Sequence, residues 1–219
     1  MAKAKKKTIS KSTKKSWFKV HSPPYLGEAL IGEILAEKQE DLLNKTLTIN
    51  LNAVLPSSRR MQYNIKLKCT ALKDKDGAST NLIAYSMMPA SVKRLVRPGK
   101  DKIEDSFLVK TKDNIVIRIK PLLITMNRMS ESKDSLARKA TRAVLAKHIA
   151  NQTYEEFVNS VITKAIDKEL FSIINRITPL KVVEIREFRI QDKAKTNIET
   201  GSSFDLSPYI KKQPETAKS

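Results

Sequence analysis

The sequence predicts an α+β protein in which an antiparallel β-sheet comes first and two helices pack on it. Apolar residues recur at every second position in several segments between residues 47 and 120, which is the period of half-buried strands. They then recur at helical spacing between residues 133 and 177. Residues 181–190 return to a strand-like composition, so the chain is expected to close by rejoining the sheet.

The chain begins with an arm, residues 1–16, that carries seven lysines and no acidic residue. Such a segment has too little apolar surface to bury, so it is predicted to be disordered when free. We expect it to fold along phosphates when bound, with a solvated tail that only aids solubility as the alternative. Trp17 and Phe18 follow, then the rigid pair Pro23 and Pro24. This segment predicts a short strand packed on the domain. Trp17 is expected to be a core anchor, with stacking on a nucleic-acid base as the alternative.

Three strands of a meander are predicted next, over residues 47–55, 63–71 and 81–88. A short helical turn is expected before them, at residues 37–43. The middle strand has the clearest alternation, and it places Cys69 on the apolar face as a packed thiol. Residues 73–77 have the composition of a hairpin turn between the second and third strands.

Two further strands, residues 106–111 and 114–120, are joined by a tight turn, and Pro121 suits an edge or a bend. The first helix is predicted over residues 133–150, with an apolar stripe on one side and basic residues on the other. The second runs over residues 153–177, where Thr153 and Glu156 form a capping box at its start and Pro179 stops it. Residues 191–219 are polar and predict a mobile or partner-dependent tail.

The charge balance restricts the class of partner. Lys and Arg number 42 against 23 Asp and Glu, which gives a net charge of +19 at pH 7. Such an excess favours an anionic partner; nucleic acid is the commonest, and a membrane surface is the main rival. The single cysteine excludes an intramolecular disulfide and a cysteine-based zinc site. With no transmembrane or secretory segment in the sequence, the predicted location is the cytoplasm.

Catalytic motifs are missing from the sequence. Neither a Walker A motif nor GxGxxG occurs, and His21 and His148 are the only histidines. Asp101, Glu104 and Asp105 form an acidic cluster that could serve acid–base chemistry. A solvated loop, or pairing with the neighbouring lysines, is the simpler interpretation. We therefore expect no enzyme activity, no cofactor and no metal site.

Basic residues are the candidate binding groups. Arginine suits phosphate because its planar fork donates two parallel hydrogen bonds, whereas lysine offers a point charge. No aromatic RNP motif, KH loop or zinc finger is present, which favours recognition of the backbone and shape of a folded RNA. The candidate RNA-binding residues are Lys6, Lys7, Lys11, Lys14, Lys15, Lys93, Arg94, Arg97, Lys100, Lys102, Arg128, Arg138, Lys139 and Arg142.

A series of short motifs occurs in one order along residues 17–190. They are Trp17-Phe-Lys-Val, Lys93-Arg-Leu-Val-Arg97, Lys102-Ile-Glu-Asp105, Lys110-Thr-Lys-Asp113, Lys120-Pro121, Ala137-Arg-Lys139, Tyr154-Glu-Glu-Phe-Val158 and Thr178-Pro-Leu-Lys-Val-Val-Glu-Ile-Arg186. In this order and spacing the chain resembles the small-subunit ribosomal protein family shared by archaea and eukaryotes, called S-three-A-e or S-one-e.

The resemblance implies a barrel-like sheet with helices packed on it, in a structural protein of the small ribosomal subunit. It further implies a place on the platform near the messenger exit. The implied partners are ribosomal RNA, neighbouring ribosomal proteins and messenger RNA near the exit. The expected organisation is an arm at 1–16, one RNA-binding domain at 17–190 and a tail at 191–219. The alternative function is a nucleic-acid or anionic-surface binding module outside the ribosome.

Overall fold

The computed structural model describes residues 14–56, 61–73 and 77–191, and over these it confirms an α+β fold. The strands are β1 Ser16–His21, β2 Leu30–Ala36, β3 Thr46–Asn50, β4 Tyr63–Lys73, β5 Gly77–Met87, β6 Lys102–Glu104, β7 Phe107–Lys110, β8 Val116–Thr125 and β9 Leu180–Ile190. The α-helices are α1 Leu51–Val54, α2 Pro89–Leu95, α3 Glu131–Ala150, α4 Tyr154–Ile162 and α5 Ala165–Ile174. Short 3₁₀ helices lie at Pro24–Leu26 and Gln39–Leu42.

The described strands belong to one mostly antiparallel sheet with the order β2-β1-β5-β9-β8-β6. β3 pairs with β4, β4 also pairs with β5, and β7 pairs with β8. β1 and β5 run parallel where Lys19 lies opposite Gly77. The pairing among the described strands is an open path that does not return to its first member. The barrel-like closure implied by the family resemblance is therefore not confirmed.

One compact unit contains the described residues up to Leu47 together with Leu67–Leu82. Its β1–β2 hairpin places Phe18 and Val20 inward, where they pack with residues of β2, β4 and β5. Cys69 lies in the same core, so the predicted packed thiol is confirmed, and burial raises its pKa. The buried cluster comprises Phe18, Val20, Ala36, Leu42, Cys69 and Ala78.

Trp17 does not take part in this core. Its side chain is 64% exposed, whereas Phe18 is 7% exposed, so the expectation that Trp17 anchors the core is wrong. Successive side chains of a strand point to opposite faces, and only one of the two aromatic residues can face inward. Phe18 shares its face with Val20, while Trp17 shares its face with Lys19.

The second unit contains Thr48–Lys66 and the described residues from Ile83 onward. Its centre is the long antiparallel pair β8–β9, from Ile117 opposite Ile190 to Thr125 opposite Leu180. β6 and β7 pair with β8, and β5 pairs with β9. α3 packs on β6 and β7, and α5 packs on β9.

An aromatic column forms the core between the sheet and the helices of the second unit. Tyr63 stacks on Tyr85 with ring centroids 5.0 Å apart, and Tyr85 stacks on Phe188 at 5.4 Å. Phe157 of α4 meets Phe188 edge-on at 5.0 Å. Such pairs add roughly 0.5–1.5 kcal/mol each beyond the burial of their area. The column therefore fixes α4 against strands β4, β5 and β9.

Two predicted elements are interrupted. The strand expected over residues 47–55 ends at Asn50, because the Asn50 side chain accepts a hydrogen bond from the Asn52 amide at 2.9 Å and starts α1. The long second helix begins with the predicted capping box but breaks after α4, at Lys164. Lys164 has a left-handed backbone (φ 60°), and its ammonium reaches Glu184 of β9 at 2.8 Å. Three helices therefore replace the two predicted.

Other segments were missed or lie outside the described residues. β2 has little alternation around Gly32 and was not predicted. The arm up to residue 13, residues 74–76 of the predicted hairpin turn and the tail from residue 192 fall outside the described ranges. The division into arm, single domain and tail remains a prediction.

Glu184 is the centre of a polar group inside the second unit. It accepts hydrogen bonds from the Tyr63 hydroxyl at 2.9 Å and from Lys164 at 2.8 Å. Burial is the main cause that raises the pKa of Tyr63 to about 12, while the Lys164 ammonium opposes the shift. Asp167 of α5 lies nearby and accepts the Ile185 amide at 3.3 Å. Burial, reinforced by the charge of Glu184, raises the pKa of Asp167 to about 7.

Asp167 should make stability depend on pH. Its folded-state pKa of about 7 exceeds the value of about 3.9 for an unfolded chain. The folded state therefore binds this proton more tightly, and stability falls as pH rises from about 4 to 7. Asp167→Asn keeps an oxygen for the Ile185 amide and removes the charge. We expect its melting temperature at pH 8 to exceed that of the parent by about 2–8 °C, for an effect of about 1–2 kcal/mol.

The comparison is made by thermal unfolding at pH 8 and pH 4.5, and at the lower pH the two proteins should differ little. Glu155→Gln, on the exposed surface of α4, is the matched control and should not alter the pH dependence. A melting temperature of Asp167→Asn at or below the parent value at pH 8 would contradict the explanation.

Candidate nucleic-acid interface

One end of the β6–β8–β9 sheet gathers unpaired cations. Thr125 lies opposite Leu180 in the β8–β9 pair, and its hydroxyl accepts a hydrogen bond from the Asp101 amide at 2.9 Å. This bond brings Lys100, the residue before Asp101, next to Lys181, the residue after Leu180. The nearby Lys181 ammonium is the main cause that lowers the pKa of Lys100, and the charge of Arg97 adds to it.

Arg128 is held at the same end by the loop that follows β8. The Met129 amide donates to the Asp101 carboxylate at 2.6 Å, and the Met126 amide donates to the Pro179 carbonyl at 3.0 Å. Arg128 lies between these two anchors and is exposed. We call Arg97, Lys100, Arg128 and Lys181 the basic end. Within the described part of the chain, no ion pair joins any of these four to an acidic residue.

The helix α3 carries the second predicted group, and its cations are placed differently. Arg138 pairs with Asp134 of the same helix at 2.9 Å, while Lys139 is exposed. Arg142 donates two hydrogen bonds to Asp105, one of them from Nη2 at 2.7 Å, and its guanidinium lies 5.8 Å from the Phe107 ring centroid. Arg142 therefore fixes α3 to the β6–β7 segment. Its role as an RNA-binding residue stays a prediction.

The acidic cluster of the sequence is structural. Burial would raise the pKa of Asp105, but hydrogen bonds from Arg142 and the Ser106 amide outweigh it, and the pKa is lowered. Glu104 pairs with Lys102 at 3.1 Å and with Arg186 at 2.6 Å. The expected pairing with Lys102 is thus observed, and all three acids are engaged with other groups.

A groove of about 430 Å³ lies beside Glu104 and Asp105. It is lined by Glu104, Asp105, Ser106, Lys120, Pro121 and Arg186.

The remaining predicted cations are spread along the chain. Lys93 and Arg94 lie in α2, where a turn was expected; Pro89 at the first helical position favours the helix. Both are exposed, and Arg94 donates to the Ser91 hydroxyl at 2.9 Å. Lys14 and Lys15 are exposed before β1. Lys6, Lys7 and Lys11 lie outside the described residues.

Sequence reasoning missed Lys181 and a second pair of like charges, Arg118 and Arg189. These two lie directly opposite each other in the β8–β9 pair, an arrangement that destabilises a sheet unless another group compensates. Arg118 is turned toward the Gln191 side chain, to which it donates at 3.1 Å. Only the strand register brings such distant residues together, so no local signal could have predicted these pairs.

Two further classes of site were searched for in the described ranges. Side chains of His, Cys, Asp and Glu do not gather there in groups of three that could hold a metal ion. None of the described helices combines the length and apolar composition that a bilayer crossing requires.

The chain matches the Ribosomal S3Ae family over residues 3–194. It belongs to this family. Similar relatives include proteins named small ribosomal subunit protein eS1. The Nanoarchaeum equitans protein is 29% identical over 83% of this chain and 91% of its own length. The Pyrobaculum arsenaticum protein is 30% identical over 87% of each chain, and the Methanothermobacter thermautotrophicus protein is 25% identical over 88% of this chain and 99% of its own.

Membership in the S3Ae family confirms the resemblance drawn from the ordered motifs. The chain is accordingly a structural ribosomal protein, a component of a ribonucleoprotein that works in translation, and not an enzyme. The basic end and the exposed cations of α3 are the candidate surfaces for binding ribosomal RNA.

Arg142 and Lys139 should respond differently to removal. Arg142→Ala leaves the Asp105 carboxylate, whose side chain is 9% exposed, without its main donor. An unsatisfied buried acceptor costs about 1–3 kcal/mol, so the free energy of unfolding should fall by that amount. Lys139→Ala, three residues earlier on the exposed side of α3, should stay within about 0.5 kcal/mol of the parent. Urea unfolding measures both, and equal losses would mean that Arg142 does not fix α3.

Proposed function

We propose that this protein is a structural constituent of the small ribosomal subunit and binds ribosomal RNA through the basic end. The observation that carries the proposal is the concentration of Arg97, Lys100, Arg128 and Lys181 at one end of the sheet, without acidic partners among the described residues. The names of the relatives support the small subunit as the particle. The net charge of +19 supports a polyanion as the partner.

The basic end brings like charges together in the free protein, and a phosphate can bind between them. Lys100 and Lys181 lie close enough to lower the pKa of Lys100, which means that the two ammonium groups repel each other. A phosphate between them would reverse the sign of the interaction and release its counterions. Arg97 and Arg128 add planar forks that can each hold two phosphate oxygens. Backbone contacts of this kind fix position and orientation without reading base identity.

The position in the particle is a finer part of the proposal and rests on the family resemblance. It places the protein on the platform near the messenger exit, against ribosomal RNA and neighbouring ribosomal proteins, with messenger RNA as a further partner. Cytoplasmic ribosomes are the corresponding location.

Sedimentation of the tagged full-length chain through sucrose gradients tests the proposal. Cosedimentation with small subunits that survives a high-salt wash is expected, because many shape-specific contacts hold an assembled component. A chain that stays at the top of the gradient, or that modest salt removes, would instead indicate a binding module outside the ribosome.

Removing the repelling pair should weaken RNA binding without harming the fold. For Lys100→Ala with Lys181→Ala we expect a melting temperature equal to or above that of the parent, since like-charge repulsion is relieved. Each lost phosphate contact lowers the slope of log affinity against log salt by about 0.7–0.9. The double variant should therefore lose about 1.5 from this slope in binding to small-subunit ribosomal RNA, measured by filter binding over a salt series.

Lys66→Ala with Lys168→Ala is the matched control, because it removes the same charge from two exposed lysines elsewhere in the second unit. Its salt slope should stay close to that of the parent. If both double variants lost the same slope and affinity, bulk charge rather than the basic end would explain binding.

A further inference from the structure

A large aromatic side chain stands on the open face of the β1–β2 hairpin. Trp17 is 64% exposed and lies directly opposite Leu35 of β2, which is 41% exposed. An aromatic side chain removes about 150–250 Å² of surface from water when it is buried. An exposed tryptophan therefore gives up a large hydrophobic contribution to the stability of the fold. At Trp17 the backbone of β1 pairs with β2, and from Lys19 to His21 β1 also pairs with β5. The fold therefore presents the ring rather than hiding it.

Positive charge flanks the exposed ring along the chain. Because side chains alternate along a strand, Lys19 lies on the same side of β1 as Trp17. Lys15 directly precedes the strand, and both lysines are exposed. Positions two apart along a strand are separated by about 7 Å. Within the described residues neither lysine forms an ion pair, although Glu33 lies opposite Lys19. The lysine-rich run of the N-terminus ends at Lys15, two residues before the ring.

This combination matches the chemistry of unpaired RNA. Every base has a flat face that can stack on an aromatic ring, and such stacking is worth about 1–3 kcal/mol per base by alanine substitution. Lysines beside the ring can contact the phosphates on either side of the stacked base. A duplex keeps its bases stacked on one another and offers only its phosphates to the same surface.

We propose that Trp17 is a stacking platform for an unpaired RNA base, with Lys15 and Lys19 contacting the adjoining phosphates. The inference rests on the proposed function of RNA binding and adds to the basic end a second contact of a different kind. Charge complementarity favours RNA over a protein as the occupant, since among the described residues neither Lys15 nor Lys19 forms an ion pair, even though Glu33 lies opposite Lys19.

The experiment uses the fact that Trp17 is the only tryptophan in the chain. The full-length protein is titrated with short single-stranded oligoadenylate and, in parallel, with an RNA duplex of the same length. We expect single strands to quench the tryptophan fluorescence by more than half, because a stacked base contacts the ring. The duplex should bind through charge and quench little.

Two variants separate stacking from other effects. Trp17→Ala should weaken binding of the single strand by about 5- to 100-fold, whereas Trp17→Phe should keep most of the affinity because it keeps a ring. Leu43→Ala, which removes an apolar side chain of the same exposure as Leu35, is the control and should change neither quenching nor affinity. Anisotropy of labelled RNA measures the affinities of all three.

The outcomes distinguish this inference from the proposed function. If single strands and duplex bind the parent and Trp17→Ala equally, with no quenching, the stacking site is wrong while RNA binding stands. If the parent binds no RNA at all, the proposed function fails as well. A blue shift of the emission with purified small-subunit proteins, without a response to RNA, would assign the face to a protein partner and overturn the inference.

Discussion

The compensation of positive charge is the constraint on which this structure depends. A chain with 42 basic and 23 acidic residues cannot pair every cation, so the fold decides which ones are paired. In the second unit the acids are used where elements must be joined: Asp105 holds Arg142 of α3, and Glu104 holds Arg186 of β9. Four of the cations left over, Arg97, Lys100, Arg128 and Lys181, lie together at the basic end, and others are spread over the exposed surface. The ion pairs thus distinguish the cations that join elements of the fold from the cations that remain available to a partner. The sequence alone does not show this distinction.

Charge must also be compensated in the interior of the second unit, where a carboxyl group without a cation partner takes up a proton. Glu184 is satisfied by Tyr63 and Lys164, so its charge is both compensated and hydrogen-bonded. Asp167 lies beside it with one amide donor and little solvent, and burial there favours the protonated form. A buried ion pair is weak evidence for stability because desolvation offsets attraction. The group around Glu184 is better understood as fixing the break between α4 and α5, since Lys164 stands at this break with a left-handed backbone and donates to Glu184.

The sequence predicted the elements with strong periodicity and failed where a single side chain decides. The alternation from Tyr63 onward predicts β4 correctly, but the same pattern before it ends early because Asn50 caps a helical turn. In Trp17-Phe18-Lys19-Val20 each of the two alternating faces of the strand carries an aromatic residue. Only Lys19, which shares its face with Trp17, indicates that Trp17 faces outward. The proximity of Lys100 and Lys181 depends on the β8–β9 register, which no local pattern encodes. The predicted RNA-binding site therefore stays a prediction, to which the strand register adds Lys181 as a neighbour of Lys100.

A ribosomal protein that combined the basic end with an exposed tryptophan would bind RNA by two kinds of contact, phosphate contacts and base stacking. The two respond differently to salt concentration. Phosphate contacts release counterions, so their contribution falls steeply as salt rises. Stacking buries apolar surface and an aromatic face, and it responds little to salt. Charge brings the chain to any RNA, whereas a stacked base requires an unpaired nucleotide at one place. An RNA that satisfies both contacts must offer a phosphate backbone to the second unit and an unpaired base to the first, so two weakly specific contacts together select among RNAs without a motif that reads sequence.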